Sequence, residues 1–319
     1  MKLKTLFAPV FLFVWLFSVE ASAQYEHVDA RISQYPKHLT SSAQLASRIM
    51  QDFASDRERV RGAYTWIATN IAYDMNEYKL GNTIAYKYTS DADRVKKEAA
   101  FRKSLVSRTL RTRKGVCEGY ASLMQDLLGH FGLESHIIAG VSRTNISQIG
   151  QLPKENDHVW NAVKIGGKWE LIDVTWAAGS VDGASGKFRY AFTDAYFMPD
   201  PERFFMNHFP EDQRWLLVKK NPSEFARQPL FHPSYIRSDY NIDRIDGHLA
   251  NNGPIDFSIG NLSSGDRVYY ITNRQNTLQR VKSHSGRFTV PIDRNFAGTV
   301  TIFVNEKPMV SYKISRPNA

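Results

Sequence analysis

Cysteine is almost absent from this chain, and the one that is present needs an explanation. Cys117 is the only cysteine among 319 residues. A lone cysteine cannot form a disulfide within its own molecule. Three roles remain for it, namely a buried thiol, an intermolecular bridge or a reactive nucleophile, and the residues around it must decide among them.

The sequence signatures of several ligand classes are also missing. There is no HExxH motif and no cysteine cluster, and the histidines other than His158 show no metal-ligand spacing, so no metal is expected. Neither a GxxxxGK(S/T) motif nor a strand-linked GxGxxG motif is present, so no cofactor is expected. No nucleic-acid partner is expected. After the N-terminal segment no run approaches about 20 apolar residues, which argues against a transmembrane segment.

An export signal is predicted at the N-terminus. Lys2 and Lys4 precede a short apolar run at 6–17, and residues 21–23 read ASA. A basic region, a short apolar region and an A-x-A site are the parts of a secretory signal peptide. We expect cleavage after Ala23 and a mature protein that is secreted or periplasmic.

Apolar and charged residues are both abundant. Hydrophobic residues make up 42% and aromatic residues 13% of the chain, as is typical of a packed globular protein. The formal net charge is +9, and nine Lys or Arg residues fall within 94–114. Such a run is usually a solvated helix face, and it is also a candidate for binding an anionic cell-envelope polymer.

Hydrophobic spacing predicts helices in the first half of the chain. Apolar residues recur every three or four positions within 43–73, and a strongly charged helix is predicted over 91–114. Cys117 is predicted to lie in or just before the first turn of another helix, because the apolar residues that follow it share one helical face. A strand is predicted at 135–141.

A hairpin and a β-rich region are predicted in the second half. Residues 158–165 and 168–176 are predicted strands, and Gly166-Gly167 between them is a favoured two-residue turn. From about Phe231 onward, short alternating segments are typical of a β-sandwich. The strands predicted there cover residues 255–259, 267–272, 286–291, 299–304 and 309–314.

The chain is therefore expected to have three parts. They are the signal peptide at 1–23, a main domain at 24–229 and a β-rich, Ig-like domain at 230–319. The change in sequence pattern places the boundary between the two domains near Pro229.

The hairpin predicts a pair of chemical groups. A two-residue turn sets Trp160 opposite Asp173 and His158 opposite Thr175. His158 and Asp173 are then diagonal neighbours on one face, roughly 7–8 Å apart at the backbone and within side-chain reach. A carboxylate in that position can fix the tautomer of the imidazole and stabilise the imidazolium.

Cys117 adds a third group. A thiol at a helix N-terminus feels the positive end of the helix dipole, and a nearby imidazolium further favours the thiolate. Cys117, His158 and Asp173 are then candidates for nucleophile, base and orienting carboxylate. Spacing by itself does not bring the start of the helix to the hairpin.

Three motifs, in a fixed order along the chain, resemble a known family in which the start of this helix does meet the hairpin. They are KGVCEGYASLMQDLL at 114–128, NDHVWNAV at 156–163 and DVTW at 173–176. Together they resemble the transglutaminase-like superfamily, and most closely its kyphoscoliosis-peptidase branch. The segment AYTWIATNIAYD at 63–74 resembles the helix that opens the same core. The resemblance extends from about 55 to 217.

This resemblance implies a fold and a set of roles. The fold is α+β, with a papain-like core whose nucleophile begins a helix packed on an antiparallel sheet, followed by a β-sandwich-like C-terminal domain. The implied roles are Cys117 as nucleophile, His158 as general base and acid, and Asp173 as orienting residue. The backbone N–H of Cys117 is expected to contribute to an oxyanion hole.

Nearby aromatic residues have two interpretations. Trp160 and Trp176 are candidates for the walls of a substrate cleft, and packing in the core is equally compatible with their positions. Tyr120 flanks the nucleophile and is a further candidate, with core packing favoured. His208 lies in an aromatic segment and is expected to be structural.

The leading functional hypothesis is a secreted, cysteine-dependent amide hydrolase or acyltransferase. It would act on a protein or peptide through an acyl-thioester intermediate. One alternative is a protein-crosslinking transglutaminase, because the same triad serves hydrolysis and transamidation. The other is a non-catalytic binding or scaffold module that has kept the fold.

Overall fold

The computed structural model describes residues 24–80, 87–182 and 185–316. The predicted signal peptide lies outside these ranges. In the part of the chain that is described, no helix is both long enough and apolar enough to cross a membrane. A helical first part packs on an antiparallel sheet, and a C-terminal part follows that is built mainly of strands.

Helices dominate the chain up to residue 130. In chain order they are α1 (Glu26–Ser33), α2 (Ser42–Asp52), α3 (Asp56–Asn70), α4 (Met75–Leu80), α5 (Asp91–Thr112) and α6 (Cys117–His130). Two short strands, β1 (Ala72–Tyr73) and β2 (Lys114–Gly115), pair in parallel. Because β1 follows α3 and β2 precedes α6, this pairing holds the start of α6 beside the end of α3.

The stretch predicted to be helical over 43–73 forms two helices, α2 and α3, followed by strand β1. Phe53 is extended, with φ of −130° and ψ of 131°, and it ends α2. The Ser55 side chain accepts a hydrogen bond from the Glu58 N–H, and the Glu58 carboxylate accepts one from the Ser55 N–H. This capping box starts a new helix, since it satisfies the free N–H groups of the first turn.

The charged helix predicted over 91–114 is α5. It ends at Thr112, and the capping residue Arg113 adopts the left-handed conformation with φ of 54°. Several of its basic side chains form ion pairs with nearby carboxylates, among them Arg94 with Glu98 and Lys97 with Asp93. These i,i+4 pairs are typical of a solvated helix face. Binding of an envelope polymer by this face stays a prediction.

A four-stranded antiparallel sheet follows, with short elements around it. In chain order the elements are β3 (Ser135–Ser142), a 3₁₀ turn (Ile146–Gln148), β4 (His158–Ile165), β5 (Lys168–Ile172), α7 (Val174–Ala178), β6 (Gly179–Val181), β7 (Phe188–Tyr190), α8 (Pro201–Phe205), β8 (His208–Pro210), a second 3₁₀ turn (Gln213–Leu216) and α9 (Pro222–Arg227). The strand order in the sheet is β5-β4-β3-β8.

The hairpin of β4 and β5 has the predicted register. Ile165 pairs with Lys168, and Asn161 pairs with Ile172. Gly166 and Gly167 form the turn with φ of 56° and 82°. Glycine suits both positions, because side chains larger than hydrogen strain a backbone with positive φ.

The second strand is shorter than predicted. It was expected to extend to residue 176, but β5 ends at Ile172 and α7 begins at Val174. Asp173 caps this helix, since its Oδ1 accepts a hydrogen bond from the Trp176 N–H at 3.0 Å. The local cap therefore ends the ladder, and Thr175 does not pair with His158.

Helix α6 lies at the centre of the first hydrophobic cluster. It packs on α3, α5 and strand β4. The fully buried side chains of this cluster include Tyr64, Trp66, Ile67, Tyr120, Met124, Leu127, Val163 and Ile172. The position of the first residue of α6 is therefore determined by a packed core on several sides.

The C-terminal part contains two antiparallel-rich sheets, as the sequence pattern predicts. Its elements are β9 (Leu230–Phe231), α10 (Pro233–Ile236), β10 (Asn241–Ile242), β11 (His248–Ala250), β12 (Ile255–Gly260), β13 (Val268–Thr272), β14 (Gln279–Val281), β15 (Arg287–Val290), β16 (Gly298–Val304) and β17 (Lys307–Ser315). One sheet has the order β10-β12-β15 and the other β11-β17-β16-β13-β14, with β9 also on β17. Phe257 and Tyr312 meet between the sheets.

The two parts of the chain share a hydrophobic cluster. Trp160 and Leu171 of the first sheet belong to the same cluster as Phe231, Tyr235 and Val310 of the C-terminal part. The boundary near residue 229 stays a prediction. The packing shows that the segments on either side of it are not separated by solvent.

Candidate active site

Cys117 is the first residue of α6 and is partly exposed. Val116 precedes the helix in an extended conformation and makes no side-chain cap. The N–H groups of a first helical turn lack partners within the helix, and they carry the positive end of its dipole. The thiol thus lies where a negative charge is favoured.

Gly119, two residues after Cys117 in CEGYA, has a packing role. A Cβ atom on Gly119 would lie 2.7 Å from the Oγ1 atom of Thr109, which belongs to α5. Thr109 is fully buried. Glycine at this position therefore lets the first turn of α6 approach α5 closely, and this approach positions Cys117.

His158 begins β4 and pairs with Gly140 of β3. Its side chain is buried. A Cβ atom on Gly140 would lie 2.4 Å from the Trp160 ring and 2.4 Å from the Phe209 carbonyl oxygen, so only glycine fits there. The close approach of β3, β4 and β8 at this point holds His158 at the edge of the core.

The predicted His–Asp pair is present. His158 Nε2 lies 2.7 Å from Asp173 Oδ2, and the Asp173 side chain is fully buried. The capping of α7 holds the carboxylate, while the hairpin register brings the two strand ends together. The helix cap and the hairpin register together place the Asp173 carboxylate against the His158 imidazole.

The side chain of Cys117 also interacts with His158. Burial opposes the charge on the His158 imidazolium, but the Asp173 carboxylate outweighs it and a hydrogen bond with the Cys117 side chain adds to the effect. The pKa of His158 is thereby raised to about 10. Burial likewise opposes ionisation of Asp173, yet His158 and His208 hold the pKa of Asp173 well below its usual range. The imidazole of His158 thus lies between a buried carboxylate and the Cys117 side chain.

His208, which was expected to be structural, belongs to this cluster. Its Nε2 lies 3.0 Å from the same Asp173 oxygen that faces His158, and its side chain is fully buried. Burial, more than the opposing carboxylate, lowers the pKa of His208. Its place in strand β8, beside β3, brings it to the site. The similarity of its aromatic segment to the superfamily was the signal that could have identified it.

The aromatic residues named as cleft walls have different positions. Trp160 is 1% exposed, and its ring lies 5.0 Å from that of His208 and 5.7 Å from that of Phe204, so it is a core residue. Tyr120 is fully buried, and its hydroxyl donates to the Ile71 carbonyl oxygen at 2.6 Å. That bond ties α6 to the end of α3. Neighbouring helices and strands cover both Trp160 and Tyr120. The spacing of residues along the sequence does not show which side chains will be covered in this way.

Trp176 lies at an open cleft beside His158. The cleft has a volume of about 560 Å³, and Trp176, Thr175, Tyr73 and His158 line it. The ring centroids of Trp176 and His158 are 5.7 Å apart. A substrate in this cleft would therefore contact the imidazole directly.

His158, Asp173 and His208 are residue types that bind metals, but their side-chain atoms lie closer together than the ligands of a bound zinc ion would. In the described part of the chain, His158, Asp173 and His208 are the group whose ligand atoms lie within 4.8 Å of one another. Tetrahedral zinc ligands at bond lengths near 2 Å are roughly 3.3 Å apart. Both imidazole nitrogens lie closer than this to the Asp173 oxygen, at 2.7 and 3.0 Å. These distances are those of hydrogen bonds, and the expectation of no metal stays a prediction.

Comparisons with known proteins agree with the motifs. The family model described as the transglutaminase-like superfamily matches residues 43–174. Among curated proteins, kyphoscoliosis peptidase of Mus musculus is 33% identical over 214 residues, which is 66% of this chain and 29% of that protein. The Lim and transglutaminase domain protein ltd-1 of Caenorhabditis elegans is 30% identical over 185 residues, covering 51% of this chain and 25% of that protein.

These relatives are much longer than the region that they share with this chain. The chain spans about 29% of the length of the mouse protein. Among solved structures, the periplasmic domain of TgpA from Pseudomonas aeruginosa is 21% identical, with a TM-score of 0.29 over 47% of each chain. The sequence matches, not this superposition, identify the superfamily and its branch.

Proposed function

This chain carries a transglutaminase-like domain of the kyphoscoliosis-peptidase type, and we propose on that premise that it is a cysteine-dependent amide hydrolase. Its substrate would be a protein or peptide. Cys117, His158 and Asp173 would act as nucleophile, general base and acid, and orienting residue. The observation that supports this most strongly is the continuous contact from the thiol through the imidazole to a buried carboxylate.

The chemistry follows from the positions of these groups. The Cys117 thiolate attacks the carbonyl carbon of an amide, and the carbonyl oxygen becomes an oxyanion that the free N–H groups at the start of α6 can stabilise. The carbon–nitrogen bond then breaks, and the His158 imidazolium gives its proton to the departing amine. An acyl-thioester on Cys117 remains.

Deacylation completes the cycle. Neutral His158 takes a proton from a water molecule, whose oxygen attacks the thioester carbonyl. The carbon–sulfur bond breaks, a carboxylic acid leaves and the Cys117 thiolate is restored beside the imidazolium. Transfer to an amine in place of water would make the protein a transglutaminase by the same route.

We also propose that the protein acts outside the cytoplasm, as a secreted or periplasmic enzyme. The N-terminal segment has the composition of a signal peptide. A single cysteine also suits an oxidising compartment, because a second cysteine could pair with the nucleophile and inactivate it. Sequencing the N-terminus of the protein recovered from its native source tests this, with Gln24 as the expected first residue.

Trapping the acyl-enzyme tests the proposed reaction. The wild-type protein is incubated with a mixture of peptides, quenched in acid and measured as an intact mass. We expect an acyl adduct that maps to Cys117 and is absent from the Cys117→Ala variant. Release of a free acid identifies hydrolysis, whereas incorporation of an added primary amine identifies transamidation.

Alkylation by iodoacetamide tests the thiolate directly. We expect fast labelling of Cys117 in the folded protein well below pH 8, slowed at least about tenfold by His158→Ala. Labelling that occurs only above pH 8, or only after denaturation, would contradict the proposed chemistry and favour a non-catalytic binding module.

A further inference from the structure

The cleft beside His158 has walls from both parts of the chain. On one side it is lined by Tyr73, Trp176 and Phe188, which belong to the first part. On the other side it is lined by residues 230–233, the first residues of the C-terminal part. Strand β9 holds this second wall, because Leu230 and Phe231 pair with Ser311 and Val310 of β17.

The ionisable groups that line this cleft are mostly engaged elsewhere. The Arg143 guanidinium is buried and donates to the carbonyl oxygens of Phe225 and Gln228. Asp157 accepts hydrogen bonds from the N–H and hydroxyl groups of Ser142. Burial lowers the pKa of His232 to about 4, so this side chain is neutral at pH 7. Apart from the triad, the surface offered to a ligand is largely aromatic and aliphatic.

We propose that this cleft binds a bulky apolar side chain of the peptide substrate, next to the amide that Cys117 attacks, and that residues 230–233 form one wall of the subsite. The position of the scissile amide rests on the proposed function. The apolar preference rests on the lining residues. The volume of about 560 Å³ is sufficient for an aromatic side chain together with neighbouring backbone.

Binding to a protein without the thiol tests the subsite independently of catalysis. The probe is a set of fluorescent, end-capped pentapeptides that differ at one central residue, which is Phe, Ala, Lys or Glu. Affinity for the Cys117→Ser variant is measured by anisotropy. We expect the Phe peptide to bind about tenfold more tightly than the Ala peptide, as the burial of one aromatic side chain predicts. Equal affinities, or tighter binding of the Glu peptide, would overturn the inference.

A charge introduced in the second wall tests its location. In the same background, Leu230→Glu is expected to weaken binding of the Phe peptide at least about fivefold and to improve binding of the Lys peptide. The control is Ile245→Glu, because Ile245 is an exposed aliphatic residue of the same part that does not line the cleft. Leu230→Ala, which adds no charge, should reduce only the preference for Phe. If folded Leu230→Glu bound the Phe and Lys peptides with the same ratio of affinities as the parent variant, residues 230–233 would be excluded from the subsite.

The two proposals can fail separately. If the peptides bind selectively but wild-type protein forms no acyl adduct, the subsite stands and the hydrolase function fails. If an adduct forms on Cys117 without any side-chain preference in binding or turnover, the function stands and the apolar subsite is wrong.

A second, independent observation concerns the carboxylate of the triad. Asp173 accepts three hydrogen bonds, one at Oδ1 from the Trp176 N–H and two at Oδ2 from the Nε2 atoms of His158 and His208. Two imidazoles therefore share one carboxylate oxygen. A carboxylate held on three sides cannot rotate without breaking one of these bonds.

The other edge of His208 continues the network. Its Nδ1 lies 2.8 Å from the Asn207 side-chain oxygen, and Asn207 Nδ2 lies 3.2 Å from the Tyr196 hydroxyl. A neutral His208 that donates from Nε2 needs a donor at Nδ1, and the Asn207 amide supplies one when its oxygen and nitrogen exchange places. The Tyr196 hydroxyl then donates to the amide oxygen. All three of these side chains are buried.

Packing fixes the ring of His208 in this orientation. It is stacked on Phe204, with centroids 4.0 Å apart and an interplanar angle of 14°, and the Trp176 ring lies 4.6 Å away. Stacking therefore holds the face of the ring, and hydrogen bonds hold its two nitrogen atoms. This rigidity is what a positioning residue needs.

We infer that His208 is a positioning residue, which holds Asp173 and through it the orientation of His158. It touches neither substrate nor the reacting atoms. In the proposed reaction its loss should reduce kcat and leave KM nearly unchanged, because the binding cleft is intact while the base is misaligned.

Two substitutions separate positioning from simple packing. His208→Leu removes the donor, and we expect kcat to fall at least about tenfold with KM within about twofold. His208→Gln keeps a donor near Nε2 and should recover most of the loss. A folded His208→Leu protein with wild-type kcat, or a Gln variant no better than Leu, would overturn the inference.

The rate of Cys117 alkylation compares His208→Leu with His208→Gln without the need for a substrate. If His208 orients the pair, iodoacetamide should label Cys117 more slowly in His208→Leu than in His208→Gln at pH 6. Urea unfolding of both variants is the packing control. Equal alkylation rates with lowered unfolding midpoints in both would show a purely structural role, whatever the outcome of the acyl-enzyme experiment.

Discussion

At the scale of single residues, the site depends on a buried ion pair. His158 and Asp173 are both almost inaccessible to solvent. Transfer of two charges into the core is costly, and only close contact with further hydrogen bonds offsets this cost. The Trp176 N–H and the two other side chains that contact the pair provide those bonds. The pair is therefore expected to be kept for chemistry more than for stability.

The pH dependence of stability follows from the two shifts. The pKa of His158 is raised to about 10, so its contribution is complete below its usual pKa of 6.5 and is lost as the pH rises toward 10. The pKa of Asp173 is depressed, so its contribution is complete above its usual pKa of 3.8 and is lost at lower pH. Between about pH 4 and pH 6.5, His158 and Asp173 both make their full contribution to stability.

A double variant isolates this effect. We compare the free energy of unfolding in urea of the wild type with that of His158→Gln/Asp173→Asn between pH 4 and pH 10. The stability of the wild type relative to the variant should be greatest between pH 4 and pH 6.5 and should fall by about 2–4 kcal/mol as the pH approaches 10. A difference that does not change with pH would show that the pair is not ionised in the folded protein.

At the scale of elements, the contact between α5 and α6 positions Cys117, the proposed nucleophile. Gly119 in the first turn of α6 faces the buried Thr109 of α5 with no room for a methyl group. This contact is two residues from Cys117. Any expansion here moves the first turn, and with it the thiol and the free N–H groups.

Gly119→Ala is therefore expected to destabilise the protein by about 1–3 kcal/mol, although alanine is the better helix former. Thr109→Ala in the same chain should recover part of this loss, because it removes the atoms that the new methyl group meets. Urea unfolding measures the stability, and the rate of alkylation of Cys117 reports the displacement of the turn.

The matched control lies in the same helix. A Cβ atom on Gly129 would meet nothing within 4 Å. Gly129→Ala should leave alkylation unchanged and stabilise the protein by up to about 1 kcal/mol. If both glycine substitutions had the same effect, helix propensity and not the contact with Thr109 would explain the result.

At the scale of the whole molecule, the two parts depend on each other. Trp160 and Leu171 pack in one cluster with residues of the C-terminal strands. The buried Arg143 donates to backbone carbonyls just before the junction. The wall of the cleft at residues 230–233 lies on the far side of the same junction.

Truncation after Pro229 tests this dependence. Removing the C-terminal part would expose the shared cluster, so we expect the fragment 24–229 to unfold at least about 2 kcal/mol more easily than the full chain or to fold without cooperativity. Circular dichroism during urea titration checks both. A fragment with the unfolding midpoint and Cys117 alkylation rate of the full chain would show that the domains are independent.

Much of this architecture was predictable from local pattern. The helix that begins at Cys117, the hairpin at Gly166-Gly167 and the β-rich C-terminal region all follow rules that act over a few residues. The error in the length of the second hairpin strand also has a local cause, because Asp173 ends the strand by capping the next helix.

The sequence by itself determined which chemical groups are available and how each is presented locally, namely a thiol at a helix start and an imidazole at a strand start. Hydrogen bonds between near neighbours and the periodicity of apolar side chains are sufficient for that. Only the tertiary structure decided that His208 joins Asp173, that Trp160 is covered, and that residues 230–233 face His158. These contacts join residues far apart in the chain, and they depend on how helices and sheets pack around a common core.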